Sequence, residues 1–341
     1  MRFGLFGSAS ARRGSGEFDS TEGFHDFIEY NVEAEALGFL GTFVVEHHFT
    51  GYGQVSATLN LLTWLGARTK SLRLGTAVTV LPWHNPVLLA EQAATLDLLS
   101  GGRLDFGIGT GYRYNEFVGF DVAMDEARAR FEESIDVILK AWTSNERFSH
   151  QGKFWTFNDI AVEPPPFRKP QTVVWMGAGT ERSIRDVAHR GFNLLLGQYS
   201  SVGDVARNIA VFRDAVEAKG ERWDPQRVGV TRAFYVTDDA REREAALERR
   251  LANRLRQLKL ATTPDGRVLG GPDRADGDPV EVNLASAIYG TPDEIARKVQ
   301  ALREAGAGYL LLNGGGSGGG ERGRHSLRRF AREVMPAFAT T

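Results

Sequence analysis

The sequence predicts a single (β/α)8 TIM barrel over residues 1–341, and three observations carry that prediction. Eight short runs rich in Val, Leu and Phe, bounded by Gly, Asp or Asn, alternate with segments of helical period, as parallel strands joined by crossover helices do. At 341 residues, with 42% hydrophobic and 25% charged content, the chain can bury a core of that size without staples. The first strand runs into Ser8-Ala9-Ser10-Ala11-Arg12-Arg13-Gly14 and lacks the G-x-G-x-x-G of the alternative architecture, a doubly wound sheet.

Strands are expected at 3–7, 41–46, 72–80, 104–108, 172–176, 192–196, 228–236 and 309–312. Between them, the helix over 87–99 stops at Gly101-Gly102, as a glycine in the left-handed region ends a helix. Phe131, Ile135, Ile138 and Trp142 form one apolar helix face. Thr291-Pro292-Asp293-Glu294 is a capping box ahead of Ile295, Val299 and Leu302. A bare barrel needs about 250 residues, and the surplus falls in two insertions expected in the carboxyl-end loops. One, near 148–169, contains Pro164-Pro165-Pro166 and reads as irregular; the other, near 261–283, is rich in Gly and Asp. The glycine run 314–320 reads as a flexible loop, and Arg241-Glu242-Arg243-Glu244 with Glu248-Arg249-Arg250 as a solvated helix face with i,i+4 pairing.

Composition narrows the function. Forty-one Lys and Arg against 43 Asp and Glu, with no basic stripe, argue against a nucleic-acid partner and leave small molecules. The absence of cysteine excludes a disulfide framework, thiolate catalysis and an iron–sulfur cluster. No signal-like segment follows Met1-Arg2 and no run of apolar residues is long enough to span a bilayer, so a cytoplasmic protein without membrane attachment is expected.

The chemistry is sought where strands give way to loops. Phe43-Val44-Val45-Glu46-His47-His48-Phe49 ends an apolar run in a carboxylate and two imidazoles, the groups suited to moving protons near neutral pH. Strand alternation puts His47 and His48 on opposite faces, so one of them, either by this argument, enters the barrel mouth. The plainer alternative is that both hydrogen-bond at a strand end. Adjacent histidines with no third ligand nearby make a poor zinc site, and no metal is expected. Gly177-Ala178-Gly179-Thr180-Glu181-Arg182-Ser183 is either a plain strand-to-helix turn or a phosphate cradle, with Thr180 capping the helix. Trp83, His84, Tyr112, Glu116 and Gln198 follow predicted strands and are candidates for a mixed aromatic and polar substrate pocket.

Several motifs together resemble the bacterial luciferase-like flavin monooxygenases. They are Glu46-His47-His48-Phe49-Thr50; Leu74-Gly75-Thr76-Ala77-Val78-Thr79-Val80-Leu81-Pro82 with Pro86-Val87 and Ala90-Glu91; and Leu96-Asp97 through Leu99-Ser100-Gly101-Gly102-Arg103 to Phe106-Gly107-Ile108-Gly109. With Pro292 and Met335-Pro336 the resemblance covers nearly the whole chain. It implies a barrel that binds reduced flavin mononucleotide (FMNH2) at the carboxyl ends of its strands. His47 is then the catalytic histidine, with His48 in support and Tyr112 beside the flavin. The resemblance further implies a non-proline cis peptide at Ala77-Val78 beneath the ring, and a phosphate at Ala178, Gly179, Thr180 and Ser183. Thr110 stands where the larger luciferase chain offers the phosphate an arginine, so either anion binding is weaker, as suits a flavin that visits only in its reduced form, or Arg113 or Arg182 substitutes.

The implied reaction inserts one oxygen from O2 into a small organic substrate through a flavin C4a-(hydro)peroxide, whose protonation a histidine can govern. Hydroxylation, Baeyer–Villiger insertion and aldehyde oxidation are all open. Because the chain has no nicotinamide fingerprint, FMNH2 is expected from a separate reductase in transient contact; the resemblance also implies a homodimer. The alternatives are hydride transfer with deazaflavin F420, a non-catalytic flavin-binding barrel and, more distantly, a metal-dependent hydrolase.

Overall fold

In the computed structural model, which describes residues 1–10, 20–267, 278–314 and 320–339, all eight expected runs contain strands that pair in parallel and close into a ring. They begin with β1 (Arg2–Gly7), β2 (Gly41–Val44), β3 (Arg73–Thr76), its short continuation β4 (Thr79–Val80), and β5 (Leu104–Gly109). After a hairpin of β6 (Phe148–Gln151) and β7 (Thr156–Ile160) come β8 (Val174–Gly177), β9 (Asn193–Leu196), β10 (Val228–Val236), β11 (Ile288–Gly290) and β12 (Tyr309–Asn313). The ring runs β1, β2, β3, β5, β8, β9, β10, β12 and back to β1; β11 lies outside it, against the carboxyl half of β10.

Helices cover the outside of the ring and side chains fill its inside, so β2, β5 and β9 are buried at every position. This is why they read as unbroken apolar runs. Outside, Trp142 of the predicted helix face meets Phe106 edge to face at 5.5 Å. Inside, Phe43, Trp175 and Tyr309 meet edge to face in a closed trio, with Leu195 and Leu311 in the same cluster, and Ala77 and Val78 pack on it from above.

One strand departs from ideal pairing. Leu74 and Gly75 pair with Leu104 and Asp105, but Thr79 and Val80 pair with Ile108 and Gly109. The β3–β4 side therefore carries one extra residue across the Ala77–Val78 peptide, which is cis. Glycines make the space: a Cβ on Gly107 would lie 1.8 Å from the Thr76 carbonyl oxygen, and one on Gly109 would lie 2.5 Å from Val78. The Thr76 hydroxyl donates to the Gly107 carbonyl at 2.7 Å, and the Ala77 N–H to the Val44 carbonyl at 2.8 Å.

The structure corrects the insertions. Residues 148–169 are not irregular throughout: β6 and β7 form an antiparallel hairpin whose turn donates the N–H groups of Lys153, Phe154 and Trp155 to the Glu133 carboxylate. This insertion follows a helix (Ala127–Thr143), not a strand, so it lies at the amino ends of the strands, away from the mouth. The Arg168 N–H donates to Asp97 at 3.1 Å, and its guanidinium reaches the carbonyl of Leu104, the first residue of β5. The insertion at the mouth starts earlier than 261, with the helix Ala240–Ala261 after β10, and continues through Pro279–Ser286 to β11. Residues 268–277, within the expected insertion, and 315–319, within the glycine run, lie outside the described residues. Among the described residues no helix is long and apolar enough to cross a membrane.

Because the Gly107 contact is to backbone, Gly107→Ala is expected to destabilise the protein by about 3 kcal/mol. Gly179→Ala, whose Cβ meets nothing within 4 Å, should change stability by no more than about 0.5 kcal/mol. Urea unfolding midpoints of the two variants check both, and equal midpoints would refute the packing account.

Candidate functional site

The last residue of β2 is Val44, and the four residues after it build the site. Val45 still donates to the Gly7 carbonyl at 3.0 Å, but the chain then leaves the ladder and turns the two imidazoles in different directions. His47 lines the large cavity at the carboxyl ends of the strands, while His48 faces Glu46 beneath it and packs edge to face on Phe120 at 4.7 Å. One histidine thus enters the mouth, from a loop and not from the extended strand that the alternation argument assumes.

Glu46 is 2% exposed and surrounded by donors. One oxygen, Oε1, is 2.9 Å from His48 Nε2 and 2.6 Å from His84 Nε2, and accepts the Trp83 indole N–H at 3.2 Å; the other accepts the Val80 N–H at 2.9 Å. Burial alone pushes this carboxyl up. The hydrogen bonds from His48 and His84, the charge of His84 and the Val80 N–H outweigh it and bring the carboxyl from 4.5 down to about 2. Trp83 and His84, expected in the substrate pocket, do not line the cavity; they grip Glu46 from the loop after β4. The reason is that a buried carboxylate needs donors, and these are the nearest ones. Among the described residues no group of three His, Asp or Glu side chains is arranged to hold a metal ion.

Glu116, 1% exposed, is the second anchor. It sits in the short helix after β5 (Tyr114–Gly119), accepts the His48 backbone N–H at 2.8 Å and lies 3.0 Å from His47 Nδ1. A proton held on Nδ1 by this carboxylate leaves Nε2 of His47 as the atom able to accept or return a proton. Asn115 donates to the carbonyls of His48 and Phe49, at 3.3 Å each, so the helix after β5 fixes both ends of the histidine pair.

The cavity has a volume of about 1640 Å³. On one side Ala77, Val78, Thr110 and Tyr112 line it, with Glu116 and His47. Next around the ring come Ala178, Gly179, Thr180 and Ser183, then Gln198. All the expected cofactor residues therefore face one space. Thr180 caps the helix Glu181–His189 in a reciprocal box with Ser183, their hydroxyl oxygens 2.8 Å apart, at the helix end where an anion is favoured. Of the two arginines considered beside Thr110, Arg113 lines the cavity and Arg182 does not. Arg113 is 1% exposed, donates to Gln54 at 3.0 Å and leaves a buried Nε without a partner.

Sequence reasoning missed Arg128, which also lines the cavity and lies 3.4 Å from Asp186 on the very helix that Thr180 caps. It missed Arg249, Arg250, Asn253 and Arg256 as well. The signal was their recurrence at i, i+1, i+4 and i+7, one helix face, hidden because the face is charged.

A family model described as luciferase-like monooxygenase matches residues 1–308. The oxygenase component of a flavin-dependent trigonelline monooxygenase from Acinetobacter baylyi is 26% identical, over 99% of this chain and 96% of its own length. The crystal structure of a monooxygenase from Streptomyces bottropensis superposes with a TM-score of 0.84 at 26% identity, covering 99% of this chain and 100% of that one. An F420-dependent secondary alcohol dehydrogenase shares the fold, with a TM-score of 0.78 at 16% identity over 99% of each chain.

A carboxyl held below its ordinary value in the folded protein contributes stability that is present above about pH 4.5 and is lost as pH falls towards 2. Glu46→Gln should therefore cost roughly 3 kcal/mol at pH 7, and more than about half of that difference should be gone at pH 3. Urea midpoints at the two pH values test this; a difference independent of pH would show that the charge of Glu46 is not what stabilises the site.

Proposed function

The chain belongs to the luciferase-like monooxygenase family, and from that premise we propose that it is the oxygenase half of a two-component flavin monooxygenase, using FMNH2 made by a separate reductase. The observation that carries this reading is that one cavity takes in the Ala77–Val78 platform, the Thr180–Ser183 turn and His47. A relative named as an oxygenase component supports the division of labour with a reductase.

The residues present fit the cofactor. Ala77 and Val78, set on the aromatic interior, offer a flat apolar surface for a ring system. The paired hydroxyls of Thr180 and Ser183, the start of a nine-residue helix and the Arg128 guanidinium suit a phosphate dianion. In this assignment Arg128 supplies the cation missing at Thr110.

When bound, FMNH2 supplies the electrons that activate dioxygen for transfer of one oxygen atom to a small organic substrate. The chain supplies position, dryness and a proton. His47 Nε2 accepts or returns that proton at the cavity wall, Glu116 holds the ring in the tautomer that makes this possible, and His48 and Glu46 keep the loop from moving. Tyr112 and Gln198 stand at the same cavity for contact with flavin or substrate.

Anaerobic titration tests the cofactor assignment. FMNH2 should bind and F420 should not; Arg128→Gln should weaken FMNH2 at least about tenfold while leaving reduced riboflavin, which lacks the phosphate, unchanged. Binding of F420 without FMNH2 would overturn the reading. With any substrate found by screening, His47→Ala should lower kcat by about 10²–10⁴ with FMNH2 affinity intact. Retention of kcat would remove His47 from the chemistry.

A further inference from the structure

The charged run 241–250 is solvated at Arg241, Glu244, Glu248 and Arg249, as its sequence suggests, but it is not self-paired. Among the described residues no ion pair joins two of its members: Arg243 pairs with Glu294, and Glu242 accepts the hydroxyls of Tyr235 and Thr237. The helix Ala240–Ala261 instead turns Ala246, Arg249, Arg250, Asn253, Arg256 and Gln257 into the cavity. These positions recur at i, i+3, i+4, i+7, i+10 and i+11, one face of a helix. Together they carry three guanidiniums and no carboxylate, and Arg322 joins them from the loop side of β12.

Behind the wall stand two more arginines, each 2% exposed and each without a carboxylate partner among the described residues. Arg232 donates to the carbonyls of Gly197, Ser200 and Thr231; burial, then the charge of Arg250, pushes it down to about 10. Arg254 donates to the Pro279 carbonyl and keeps a buried Nε without a hydrogen-bond partner. The Tyr199 ring lies 4.8 Å from the Arg250 guanidinium and 4.4 Å from that of Arg254. Arg250 is fixed by the Asn283 carbonyl at 2.7 Å and the Ser286 hydroxyl at 3.0 Å, so its fork is oriented in advance.

The acidic lining residues of the cavity, Glu46, Glu116 and Asp125, follow β2 and β5, where Arg113 and Arg128 line it too, whereas the wall after β10, three strands around the ring from either, carries arginines and no acid among the described residues. Buried like charges such as Arg232 and Arg254, which have no carboxylate partner among the described residues, raise the local potential and favour an anion at the nearest open surface.

We infer that this wall binds a carboxylate or sulfonate of the organic substrate, holding the rest of the molecule towards the Ala77–Val78 side; the inference rests on the functional reading above. Tyr199, Tyr235 and Tyr289 line the same region and suit an aromatic body. Planar guanidiniums match such oxyanions in two-point contact.

The test is calorimetric titration of the full chain with benzoate, benzenesulfonate and neutral benzamide, alongside anaerobic titration with FMNH2. At least one anion should bind at least tenfold more tightly than benzamide. The exposed pair Arg249→Gln/Arg256→Gln should lose at least tenfold in that anion's affinity, Arg249→Lys/Arg256→Lys should recover part of it, and FMNH2 affinity should stay within twofold. Benzamide binding as well as both anions, an unchanged glutamine variant, or a loss of FMNH2 binding in place of anion binding would each overturn the inference. Failure of wild type to bind FMNH2 would instead count against the functional reading, and the two titrations report these separately.

Discussion

A carboxylate with almost no exposed surface stays charged only if donors replace the water it has lost, and Glu46 makes its surroundings answer that demand. His48, His84, the indole of Trp83 and the Val80 N–H all converge on it, from β4 itself and from the loops after β2 and β4. Two consequences follow for the site. The loop after β2 cannot move independently of the one after β4, and His48 is committed to Glu46 while His47 lines the cavity. Glu116 repeats the device from the far side, tying the same loop to β5. The imidazole that faces the cavity is thus held by carboxylates that line the same cavity.

The Ala77–Val78 platform depends on a different constraint of space. An extra residue in the β3–β4 edge has to go somewhere, and the only room is inward, where Gly107 and Gly109 of the neighbouring strand present no Cβ. The displaced Ala77 and Val78 then rest on the aromatic trio of the interior. The floor of the cavity is thus set by packing, and its walls by whichever loops follow the strands. This separation lets the eight-stranded frame stay constant while the helix after β10 adds a wall to the cavity.

How much of this was legible in the sequence follows from where burial is symmetric. Strands buried on both faces advertise themselves as apolar runs, so all eight barrel strands could be located, and β10 even to its ends. Capping boxes were legible too: Thr180 and Thr291 each receive the predicted bond from the third residue of the helix. β11 was not, because three residues, Ile288–Gly290, against one edge of β10 give no period to read. The β6–β7 hairpin was hidden by polar residues and held by a carboxylate, Glu133, from another element. Trp83 and His84 were placed in the pocket because they follow a strand; what turns them away is Glu46, 37 and 38 residues distant.

The same reasoning explains why the helix after β10 was misread. Alternating Arg and Glu in a sequence suggests mutual pairing in water, and for an isolated helix that is sound. In the folded chain Glu242, one turn before Ala246 on the same face, is taken up by the hydroxyls of Tyr235 and Thr237, Glu248 points elsewhere, and the arginines at 249, 250 and 256 meet the cavity. A cationic surface that closes a cavity differs from one that faces bulk solvent: screening is weaker where water is restricted, and the field reaches further across the opening. Of the three acidic residues that line the cavity, Glu46 is met by four donors and Glu116 by two. The two walls therefore differ in what they can still accept, since the donor-rich wall has its anions in place and the arginine wall has its charge turned outward. A molecule with one negative end can satisfy both only in one orientation, so that in this enclosure charge sets the direction of binding before shape does.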